Sequence, residues 1–182
     1  MRWLARFIYF KLLGWKVVGN TNFSKDTVKK AVIIAVPHTS WYDFCIGVLL
    51  RKIVQVKTNF VGKKELFKWP FGYYFRAIGG KALDRTPGQN KVEAIARLFE
   101  GEEEFRLSLA PEGTRKTVGK WKTGFYYIAK KANVPILMFT LDFKNKENRF
   151  SEPFYPTNDV EADLKFMRSF FDGIEGKIPE YS

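Results

Sequence analysis

Two periods alternate along this chain. Strand-length apolar runs occur at 31–36, 58–62, 77–83, 105–109 and 135–143, with a weaker one at 149–154. Between them, apolar residues recur at helical spacing. The segment 43–52 is one such stretch. The next, 90–100, carries Val92, Ile95, Ala96 and Phe99, with Pro87 near its start. The third, 124–132, carries Phe125, Ile128 and Ala129. The last, 159–174, places Val160, Leu164, Met167, Phe170, Phe171 and Ile174 on one stripe, with Asn158 or Asp159 as a cap. Strands alternating with helices predict an α/β fold with a mostly parallel central sheet flanked by helices. No internal repeat, low-complexity run or linker interrupts the pattern, and 182 residues fit one domain.

The first eighteen residues follow a different logic. On a helix, Arg2, Arg6 and Lys16 fall on one side, and Trp3, Phe7, Phe10, Trp15 and Val18 fall roughly opposite, with Lys11 breaking the apolar face. Four charges argue against a spanning helix, and there is no Ala-x-Ala-like cleavage site. The segment 1–18 therefore reads as an amphipathic helix at a membrane interface, followed by a single domain at 19–182. The other reading is a helix that packs on the core.

Composition narrows the partner. The chain has 31 basic and 19 acidic side chains, a formal charge of +12. That excess favours an anionic partner: nucleic acid, a phospholipid surface or a phosphorylated substrate. Aromatic residues make up 17%, which adds weight to lipid contact or base stacking. The single cysteine, Cys45, fits a reducing compartment and a place in the core. One cysteine and one histidine cannot assemble a zinc site of the usual Cys/His type.

That one histidine, His38, lies in Pro37-His38-Thr39-Ser40-Trp41-Tyr42-Asp43, directly after the apolar run 31–36. A strand exit is where open α/β sheets place their sites. Imidazole can take a proton from a hydroxyl near neutral pH, and a carboxylate on the other ring nitrogen fixes its tautomer. No Gly-x-Ser-x-Gly elbow is present, so a hydroxyl on the substrate is the simplest nucleophile. A structural reading competes: Ser40 as a helix N-cap and Asp43 as its capping-box acid, with His38 an ordinary loop residue. The two readings can coexist.

Three further stretches carry candidate chemistry. The run 77–85 ends in Asp84-Arg85, and an arginine there could grip phosphate or simply form a surface pair. Ala110-Pro111-Glu112-Gly113-Thr114-Arg115 follows the strand 105–109 and offers an anion-binding turn, although P-loop spacing is absent. Within it, Glu112 could orient Arg115 or meet a substrate hydroxyl. In 61–75, basic and aromatic residues interleave, as for a lipid-facing surface, a single-strand nucleic-acid platform or a core-packed helix.

Taken in order, these stretches resemble the glycerolipid acyltransferase family, typified by 1-acylglycerol-3-phosphate acyltransferases. His38 and Asp43 match its His-x-x-x-x-Asp motif, and Ile78 to Arg85 its apolar strand ending in Arg. Pro111 to Arg115 matches its Pro-Glu-Gly-Thr-Arg, and Val134-Pro135-Ile136 its Val-Pro-Ile strand. Gly62 to Leu66 and Lys122-Thr123-Gly124 also look like family features. The chain departs from many members in Pro37 before the histidine and Ala110 before the third motif. The resemblance implies transfer of a fatty acyl group from an acyl thioester, on CoA or acyl carrier protein, to a lysophospholipid hydroxyl. His38 would be the base and Asp43 its orienter. Arg85, Glu112, Gly113, Thr114 and Arg115 would hold the acceptor's phosphate and glycerol. The implied acceptor is 1-acylglycerol-3-phosphate, giving phosphatidic acid; an amino-acid lipid is the alternative acceptor. No metal or cofactor is implied beyond the acyl thioester co-substrate. The implied partner is the anionic cytoplasmic face of a membrane, met peripherally or monotopically, and not nucleic acid. A non-catalytic basic module binding lipid or nucleic acid is the reading from another class.

Overall fold

The computed structural model describes residues 2–20, 28–83, 90–116 and 118–182. Arg85, a predicted phosphate contact, lies outside them.

Five strands form the central sheet: β1 (Lys16–Gly19), β2 (Lys30–Val36), β5 (Phe105–Leu109), β6 (Ile136–Thr140) and β7 (Glu147–Phe150). Their order is β1-β7-β6-β2-β5, and only the β6–β7 pair is antiparallel. A parallel pair, β3 (Phe60–Lys63) and β4 (Gly80–Leu83), sits beside β5. Asn59 joins it there: its N–H donates to Arg106 O at 2.7 Å, and Ser108 N–H donates to Asn59 O at 2.7 Å. The predicted α/β architecture with a mostly parallel sheet is the observed one.

Alternation along β2 divides the interior into two cores. Val32, Ile34 and Val36 face α4 (Lys91–Ala96), α5 (Gly124–Ala132) and α6 (Val160–Ser169), which contribute Ile95, Phe125, Ile128 and Met167. Ala31 and Ile33 face the other side, where α2 (Tyr42–Val54) contributes Ile46, Leu50 and Ile53. A strand buried on both faces must be apolar throughout, which explains the unbroken 31–36 run.

The N-terminal segment is not one helix over 1–18. Helix α1 (Arg2–Arg6) continues as π-helical turns over Phe7–Leu12. Gly14, at φ +71°, then turns the chain into β1. The buried stripe centres on Ala5 and Tyr9, and Trp15 packs edge-on against Phe143 at 4.9 Å. Trp3, Leu4, Phe7 and Leu12 stay exposed. The segment is thus docked on the α2 face while still presenting apolar side chains outward. A second correction concerns 77–83. Its first residue ends α3 (Gly72–Ala77), and β4 begins only at Gly80. Gly79 makes the turn at φ +94°, so close to Thr58 that a Cβ would lie 2.2 Å from its carbonyl oxygen.

Tyr9 ties the N-terminus to the sheet. Its hydroxyl donates to Asn148 Oδ1 at 2.6 Å, and Asn148 Nδ2 donates to Thr140 O at 2.7 Å. Burial pushes the Tyr9 phenol well above its usual pKa, so it stays a donor. Tyr9→Phe removes the donor and leaves a buried acceptor unpaired, so it should lower unfolding free energy by about 1–3 kcal/mol in urea denaturation. Unchanged stability would mean that this segment is not docked in solution.

Candidate active site

The site forms where β2 and β5 end. These strands are parallel neighbours, with Ile34 opposite Leu109, so the segments leaving their carboxyl ends run side by side. One segment carries His38 and the other Glu112.

His38 Nδ1 lies 2.9 Å from Asp43 Oδ2. The same oxygen accepts the backbone N–H groups of Thr39 and Ser40, each at 2.9 Å. Asp43 sits in the first turn of α2, and Ser40 Oγ accepts Tyr42 N–H at 3.3 Å. The helix-start reading holds only in part: the N-cap is Trp41 and not Ser40, but the Asp43 carboxylate still accepts Ser40 N–H while it meets the His38 ring. Helix formation places Asp43, and Asp43 then folds the loop so that the ring meets it. The Asp43 side chain is 3% exposed and that of His38 27%. A carboxylate only accepts hydrogen bonds. A neutral ring in this contact therefore carries its proton on Nδ1 and leaves Nε2 basic. Asp43 Oδ1 is buried and unpartnered among the described residues.

Glu112 holds the loop from the other side. Its Oε2 accepts His38 N–H at 3.0 Å, and Oε1 lies 3.3 Å from the same nitrogen. The sequence offered Glu112 to Arg115 or to a substrate hydroxyl; the structure sets this buried carboxylate on the main chain of the histidine. Burial raises its pKa to about 7, and nearby Asp43 adds to the rise; the His38 N–H bond and the His38 ring oppose it. Gly113, at φ +66°, lets the turn pass beneath Lys122, whose Nζ would lie 2.6 Å from any Cβ there. Lys122 N–H donates to Pro111 O at 2.8 Å. Thr114 and Arg115 are exposed beyond this turn. The structure thus joins His38, Asp43 and Glu112, brings Gly113 against Lys122, and leaves Arg115 open to solvent.

A cavity of about 340 Å³ opens at His38 and Asp43 and runs between α2 and the sheet. Ile33, Phe44, Val48, Val54, Leu109 and Phe139 are among its mostly apolar walls. Its size falls within the usual range for small-molecule sites. Among the described residues, no group of three His, Cys, Asp or Glu is placed to hold a metal ion.

The C-terminal tail also braces the site, which sequence reading missed. Ile178 N–H donates to Thr39 Oγ1 at 3.2 Å, and Gly176 lies against the same side chain. Lys177 Nζ sits 5.4 Å above the Tyr42 ring. These contacts join residues far apart in sequence, and the tail carries no motif that would announce them.

Glu112 generates a pH prediction. Its folded pKa of about 7 lies above the ordinary carboxylate value of 4.5, so between these values the folded chain holds a proton that the unfolded chain has lost. The stability it contributes is full below about pH 4.5 and is lost as pH rises through about 7. Denaturation at about pH 5 and about pH 8 should show wild type losing more stability than Glu112→Gln across that window. Parallel losses in the two proteins would contradict the raised pKa.

A model of the family described as Acyltransferase matches residues 15–141, which include the His38 loop, α2, the Glu112 turn and β6. No curated protein and no solved structure gives a significant match. The chain is a member of the Acyltransferase family, the glycerolipid acyltransferases.

Proposed function

We propose that this acyltransferase works at a membrane surface and moves a fatty acyl group from an acyl thioester to the hydroxyl of a lysophospholipid, with 1-acylglycerol-3-phosphate as acceptor and phosphatidic acid as product. The observation that carries the reading is the His38–Asp43 contact at the mouth of an apolar cavity.

His38 Nε2 takes the proton of the acceptor hydroxyl. The oxygen attacks the thioester carbonyl carbon and forms a tetrahedral intermediate. The intermediate collapses with cleavage of the C–S bond, and the leaving sulfur takes the proton back from His38. Asp43 stabilises the imidazolium between these steps, and Glu112 keeps the backbone of the loop in place. The acyl chain lies in the cavity, whose walls remove its methylenes from water. Arg85 and the turn carrying Gly113, Thr114 and Arg115 hold the acceptor phosphate and glycerol, a role that suits arginine's fork of donors. Bringing two lipid reactants together in one site supplies much of the rate. The charge of +12 favours both the phosphates of a CoA donor and an anionic cytoplasmic leaflet. Acyl carrier protein, itself a thioester carrier, is the alternative donor.

Purified protein supplied with an acyl thioester and a panel of lysolipids, amino-acid lipids included, should acylate lysophosphatidate. In the same assay, His38→Ala should lower the rate by roughly 10²–10⁴. Full activity in that variant would remove the general-base mechanism. Turnover of another acceptor with lysophosphatidate ignored would overturn the acceptor and leave the mechanism standing.

A further inference from the structure

Among the described residues, the largest group of exposed aromatic side chains outside the site lies between β3 and β4. Leu66, Trp69, Phe71, Tyr73 and Tyr74 are all exposed there, Trp69 at 83%, Tyr73 at 75% and Phe71 at 69%. The chain reaches them through a 3₁₀ turn at Lys64–Phe67, and α3 returns it to β4.

This exposure is built into the fold. Phe67 is buried, and Phe75 packs edge-on against Phe60 at 6.4 Å and Phe67 at 6.3 Å. Gly72 N–H donates to Lys68 O at 2.8 Å. A Cβ on Gly72 would lie 2.1 Å from Phe67 O, so only glycine permits this closure. The inner rings fix this crossover, and the outer rings have no place in the core.

Charge indicates what meets them. Within 63–76, Lys63, Lys64, Lys68 and Arg76 are exposed, against one exposed acid, Glu65; Arg76 also borders a cleft that Glu102, Glu103 and Glu104 line, so the free positive charge rests on the three lysines. Protein–protein interfaces enrich aromatic residues but are depleted in lysine. Tryptophan and tyrosine interleaved with lysine and arginine are instead the chemistry of a bilayer's headgroup layer. The patch is also continuous with the cavity. Rings run from Tyr74 to Phe75 at 5.6 Å, from Phe75 to Phe60, and from Phe60 to Phe44 at 6.0 Å. Phe60 and Phe44 line the cavity that opens at His38.

We propose that the crossover segment from Lys63 to Arg76 is a membrane anchor separate from the N-terminal segment. It seats Trp69, Phe71 and Tyr73 in the headgroup layer of an anionic phospholipid bilayer and lays an apolar path from that layer to the cavity. The proposal rests on the reading of this chain as a membrane-surface enzyme and names the surface.

The test is co-sedimentation of the full chain with phosphatidylcholine vesicles, with and without phosphatidylglycerol. No acyl thioester is present, so the readout does not depend on the reaction. The triple variant Trp69→Ser/Phe71→Ser/Tyr73→Ser should bind phosphatidylglycerol-containing vesicles about tenfold more weakly, with its thermal unfolding unchanged. Lys64→Glu/Lys68→Glu should weaken binding to the phosphatidylglycerol vesicles and leave the weaker binding to pure phosphatidylcholine as it was. Equal vesicle binding by wild type and the triple variant overturns the anchor while the surface-enzyme reading stands. Absence of binding by wild type overturns both. Loss of oligonucleotide binding with vesicle binding retained would assign the rings to base stacking and overturn the proposal.

Discussion

One carboxylate oxygen organises the site. Asp43 Oδ2 accepts from the His38 ring and from two successive backbone N–H groups, so helix start, loop shape and imidazole orientation are set together. Charge-assisted hydrogen bonds of this kind are stronger than neutral ones, and burial keeps water from competing for them. Glu112 adds a second grip through the His38 N–H. The ring is thereby fixed at its side chain by one acid and at its main chain by another. A base held from both ends loses little freedom when a substrate arrives, which is the physical meaning of preorganisation.

The sheet makes this arrangement possible. Parallel neighbours bring their carboxyl ends to one edge, so β2 and β5 deliver two segments distant in sequence to a single place. The same layering leaves α2 over a sheet face that it does not completely fill, and the cavity occupies the remainder. In the proposed reaction, the apolar chamber buries the acyl chain and its polar mouth transfers the proton.

Much of this was legible in the residues, and the exceptions have physical causes. The runs 31–36 and 105–109 read as strands because both faces are buried. The helices 124–132 and 159–174 showed themselves by their stripes, the second ending earlier than expected, at Ser169. His38 and Asp43 stood out because the chain has one histidine, five residues from an acid, and the order of the stretches around them resolved what the pair alone left open. Strand β1 was hidden because Lys16–Gly19 is too short to outweigh the helical pattern before it, and Gly14 sets the break through a backbone angle that sequence alone does not show. The part played by Glu112 was hidden for another reason. Its partner is a backbone N–H contributed by a neighbouring strand exit, and only the sheet register reveals that. The bracing of Thr39 by Ile178 belongs to the same class.

In the proposed mechanism Asp43 holds the His38 ring with its proton on Nδ1, leaving Nε2 as the base. Because the chain has one histidine, nitrogen NMR of the ¹⁵N-labelled protein reads its tautomer without overlap. The spectrum should show a neutral ring protonated on Nδ1, with that preference lost in Asp43→Ala. A neutral ring protonated on Nε2, or a tautomer mixture indifferent to Asp43, would contradict that mechanism.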